Sequence, residues 1–120
     1  MQMTKDTTFE ECSNAFLLLQ DVRLKSFEPQ NIDLMYEAML TLEGVQKDMD
    51  DSRKSIEKEV EEIENSLEQG VAYNTKMREL FETEAQIVVD TWPRDWVFRI
   101  AQENNFSLAD VMLLVKLLCE

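Results

Sequence analysis

Residues 52–70 read SRKSIEKEVEEIENSLEQG. Six carboxylates stand in this stretch, Glu57, Glu59, Glu61, Glu62, Glu64 and Glu68, and among them Ile56, Val60, Ile63 and Leu67 recur at spacings of four, three and four. That spacing returns to one side of an α-helix at every turn, so the apolar residues form a stripe and the acids surround it. What this stripe faces, a second chain or another part of its own chain, decides the fold.

The register extends well beyond the stretch. With Ile32 as position a of a heptad, the a and d positions are Ile32, Met35, Met39, Leu42, Met49, Ile56, Val60, Ile63, Leu67, Met77 and Phe81, interrupted by Gln46, Arg53, Gly70 and Asn74. No proline lies between Pro29 and Pro93. A strict heptad held this long predicts a left-handed coiled coil, and about 60 helical residues span roughly 90 Å. The expected fold is all-α, with a long central coiled-coil helix over 29–91 between short N-terminal (1–28) and C-terminal (92–120) helical segments. A turn near 44–54 or 70–74, where the seam is polar, gives the alternative, a compact four- or five-helix bundle.

The flanks carry helix punctuation. Thr7-x-x-Glu10 and Thr8-x-x-Glu11 both match a capping box, and Phe9, Cys12, Phe16 and Leu19 follow at helical spacing. Ser26-Phe27-Glu28-Pro29 breaks the chain and starts a new helix. Asp90-Thr91-Trp92-Pro93 marks another boundary. Ser107, with Asp110 three residues later, caps a last helix that is apolar nearly all round and therefore requires burial.

Composition bounds the function. The formal net charge is −13 and there is no histidine. An acidic chain without a basic stripe is repelled by nucleic-acid phosphates and anionic membranes, so neither is an expected partner. Without histidine, the common general base, the Ser-His and Cys-His nucleophiles and most zinc sites are absent. Asp48, Asp50 and Asp51 lack the glycine and terminal glutamate of a calcium loop. No catalytic residue, metal site or cofactor is expected. The cysteines, Cys12 and Cys119, have no metal-binding spacing and read as buried thiols in a reducing, intracellular compartment, cytoplasmic or nuclear. The apolar run Val111–Val115 is far too short to span a bilayer.

The charges beside the seam bear on partners. Flanking e and g positions, with Arg53 on the seam itself, give a candidate partner-selecting set of Glu43, Asp50, Arg53, Glu57, Glu59 and Glu64. Self-pairing sets acid against acid in either orientation, at tenths of a kcal/mol per exposed pair. A homodimer is therefore disfavoured, and a different helix with a basic edge fits better. Arg53 calls for a carboxylate that a copy of this helix does not present. In TWPRDWVFRI, Trp92, Arg94, Trp96 and Phe98 are the residue types enriched at interface centres, and with Leu114 and Leu118 they form a candidate docking surface. Ordinary core packing is the competing reading of the tryptophans. The expected function is a non-enzymatic scaffold subunit of a heteromeric helical complex, of the kind found in kinetochore, tethering or replication assemblies; this setting is an analogy of architecture. The alternatives are a compact helical regulator or an acidic mimic of nucleic acid.

Overall fold

The computed structural model describes residues 1–23 and 29–120, with side chains described from Asn31 onward in the second span. In chain order the elements are β1 (Gln2–Thr8), α1 (Phe9–Gln20), α2 (Pro29–Glu61), α3 (Ser66–Phe81), β2 (Glu84–Asp90), α4 (Arg94–Asn104) and α5 (Leu108–Leu118). The fold is mostly helical, with long α2 flanked by shorter helices. Pro29 opens α2, as its fixed φ favours. The rest of the expected break, Ser26 to Glu28, lies outside the described residues.

The long helix does not continue to residue 91. It ends at Glu61, and residues 62–65 turn the chain back into α3. The turn thus falls inside 52–70, while the polar spots at 44–54 and 70–74 are both helical. Local chemistry accounts for its place. Asn65 leaves the helical conformation, and its side-chain oxygen accepts from the backbone N–H groups of Leu67 (2.9 Å) and Glu68 (3.1 Å). The carbonyl of Val60, freed at the end of α2, accepts from the Gln69 side chain at 3.1 Å and from the Ile63 N–H at 3.0 Å. Glu68 then sits at the favourable positive end of α3.

A second departure is the pair of strands. β1 and β2 pair antiparallel, from Gln2 opposite Asp90 to Thr8 opposite Glu84. Both alternate in burial, with Thr7, Ile87 and Val89 facing in and Thr4, Gln86 and Val88 facing out. Residues 2–8, expected within the N-terminal helical segment, are therefore a strand. So is 84–90, expected within the central helix.

Two cores result. The larger gathers α1 (Cys12, Ala15, Leu19), the first half of α2 (Ala38, Leu42), β2 and the C-terminal helices with both tryptophans. The smaller lies between the second half of α2 and α3, where Met49, Met77 and Leu80 are buried with Ile56, Tyr73 and Phe81 beside them. Head and helical hairpin share α2. Its 33 residues, roughly 50 Å at 1.5 Å each, set the longest dimension of the 55 × 28 × 19 Å molecule.

Candidate functional site

The seam positions are largely filled from within the chain. Leu42 is in the larger core, with Met35 and Met39 packed against it. Met49, Ile56, Met77 and Phe81 build the smaller core, Val60 is buried, and Ile63 is half-buried. Ile32 and Leu67 remain exposed.

The flanking charges also find partners at home. Arg53 lies 3.4 Å from Asp50 and 3.9 Å from Glu57 on its own helix, at i−3 and i+4, while its buried Nε has no hydrogen-bond partner among the described residues. Glu59 pairs with Lys76 of α3 at 2.9 Å, which ties the hairpin together and raises the lysine pKa. Glu43 and Glu64 are exposed, Glu64 within the turn.

The aromatic segment is chiefly core. Trp92, Trp96, Leu114 and Leu118 are buried, so they cannot form a docking surface; the ring centroids of the two tryptophans are 4.4 Å apart. The backbone N–H of Trp92 donates to the Leu118 carbonyl at 2.7 Å, fixing the entry to α4 against the end of α5. Arg94 is exposed and donates to the Glu120 carbonyl, and Phe98 projects outward. Cys12 and Cys119 are free and buried, and burial is the main cause raising both thiol pKa values.

A polar recess of about 560 Å³ lies between β1, β2 and the start of α1, and most of its charges are engaged. Glu11 pairs with Lys116, and Asp6 accepts from Gln86 at 2.8 Å. Among the described residues no group of three or more acids and cysteines is placed to hold a metal ion, and no helix is long and apolar enough to cross a membrane.

A different surface was missed by the heptad reading. Ile32, Tyr36 and Leu40 follow one another at i, i+4 and i+8 on α2 and are 45%, 64% and 51% exposed. Val88, 53% exposed on the outer face of β2, stands across a groove of about 300 Å³ that Leu40, Thr41, Glu37, Asp90 and Gln2 also line. Glu37 of α2 and Asp90 of β2 both line this groove, and the Asp90 carboxyl beside it raises the Glu37 pKa, by hydrogen bonding to the protonated form and by repelling the ionised one. The sequence did carry a signal: Tyr36 and Leu40 fall at heptad positions e and b, and an isolated two-chain seam needs no apolar residue at b.

Comparison of the chain with protein-family models, with curated proteins and with solved structures gives no match.

Proposed function

We propose that the chain is a non-enzymatic subunit of a heteromeric helical assembly, joined to a different chain whose contacting helix has a basic edge. The observation that carries this reading is the ridge Ile32–Tyr36–Leu40, on a face of α2 that is exposed among the described residues. Single exposed apolar residues are ordinary, but three on consecutive turns of one helix, among acids, form a face suited to another helix. The coiled-coil element of the reading belongs to this half of α2, since α3 covers the other half. The lack of histidine supports a role without catalysis, and the two unpaired buried cysteines support an intracellular setting.

The test is co-purification of the tagged chain from its source, then reconstitution with the recombinant partner and sedimentation. A stable complex of fixed stoichiometry with a helical protein is expected. A chain that sediments alone, or as a homodimer, at its working concentration overturns the proposal. The second reading is a compact helical module acting alone, favoured by the hairpin in which α3 fills part of the expected seam.

A further inference from the structure

We propose that the groove between α2 and β2 docks an amphipathic helix whose apolar stripe covers Ile32, Tyr36, Leu40 and Val88, and whose lysine or arginine enters between Glu37 and Asp90. This deepens the proposed function and rests on it for the existence of a partner; the groove itself specifies the kind of helix.

Three features of the surface converge. The ridge on α2 is apolar and exposed on consecutive turns, and Val88 supplies an apolar wall from a different element across the groove. Glu37 and Asp90 line the same groove because α2 packs on β2, although their positions differ by 53 in the sequence. None of the four ion pairs among the described residues engages either one. Two carboxylates held together without a cation repel when both are ionised, and a single cation relieves that repulsion while satisfying both. The planar guanidinium of arginine suits such a pair because its fork reaches two acceptors together.

Charge selects among possible occupants. Asp33 and Glu43 lie on the same half of α2 and keep the surroundings acidic. A second copy laid face to face brings the same acids opposite themselves, and nucleic acid or an anionic membrane brings more negative charge. A basic-edged amphipathic helix complements both the apolar ridge and the acids.

Fluorescence anisotropy with two synthetic helical peptides tests the docking site. Both carry leucines at i, i+4 spacing; one is flanked by lysine and arginine, the other by glutamate. The basic peptide is expected to bind the full chain and the acidic one not to. Removing the charge pair with Glu37→Gln and Asp90→Asn is expected to weaken binding about tenfold, as is Tyr36→Ser with Leu40→Ser. Glu61→Gln with Glu62→Gln, at the far turn, is expected to leave it unchanged. Binding that ignores both groove variants, or that falls equally with the far-turn variant, overturns the site. A stoichiometric partner that crosslinks elsewhere also removes this site but leaves the proposed function standing. Groove-specific peptide binding with no partner on co-purification does the reverse.

Discussion

Glu37 holds its proton more tightly than an ordinary glutamate because the Asp90 carboxyl accepts from the protonated form and repels the ionised one, with Asp33 on its own helix adding to the repulsion. The stabilising contact is therefore fully present below the usual glutamate pKa of roughly 4.3, and is lost as pH rises through the raised value. Glu37→Gln keeps a donor facing Asp90 at every pH and removes one charge. The variant should melt above the wild type at pH 7, with the advantage shrinking at about pH 4, where the wild type is itself protonated. Thermal melts followed by circular dichroism check this, and equal midpoints at pH 7 would show that the two side chains do not meet. The aromatic segment makes a second residue-scale contrast. Trp96→Ala should cost about 3–5 kcal/mol, whereas exposed Phe98→Ala should cost less than about 1 kcal/mol, by urea denaturation. Sequence alone shows two tryptophans and a phenylalanine within seven residues. The helix separates Trp96 from Phe98, which are roughly 200° apart round α4, while Trp92 is buried just before the helix begins.

At the scale of elements, the starts of α1, α2, α4 and α5 were the most legible part of the sequence. Ser107 accepts from the Asp110 N–H at 3.2 Å and Asp110 returns the bond at 3.1 Å, as the Ser-x-x-Asp spacing implies. Thr8 likewise accepts from the Glu11 N–H at 3.2 Å. The turn at 62–65 was hidden because an a/d stripe looks the same whether the facing helix is another chain or α3 of the same one. Seam interruptions were poor guides to it: Arg53 stands within α2 beside Asp50, and Gly70 within α3. The cap is what places the break. Asn65→Ala should cost about 1 kcal/mol, because two backbone N–H groups lose their acceptor. Gly44→Ala should instead stabilise by roughly 0.5–1 kcal/mol, since the position is helical and a Cβ there meets nothing within 4 Å. Urea midpoints at unchanged slope check both.

Across the whole molecule the two cores differ greatly in size, the hairpin's being small and the head's large. Amide hydrogen exchange should show α3 opening at least about tenfold more readily than α5; uniform protection would mean that head and hairpin unfold as one unit. The strands were the least legible feature, for the same reason that they matter. Ile87-Val88-Val89 is a β-branched run, but the strand that completes it stands at the other end of the sequence, and no local pattern reveals such a partner. Asp6 and Gln86, bonded across the two strands, are 80 residues apart. Closing a loop of that length costs about 4 kcal/mol in chain entropy. On a ribosome, β1 emerges first and waits through the synthesis of α1, α2 and α3 before β2 follows it out. The hairpin can form during that interval from neighbouring sequence, whereas the sheet cannot. An exposed apolar face on α2 is then available to other chains before the head has closed, and assembly during translation becomes a route open to this fold.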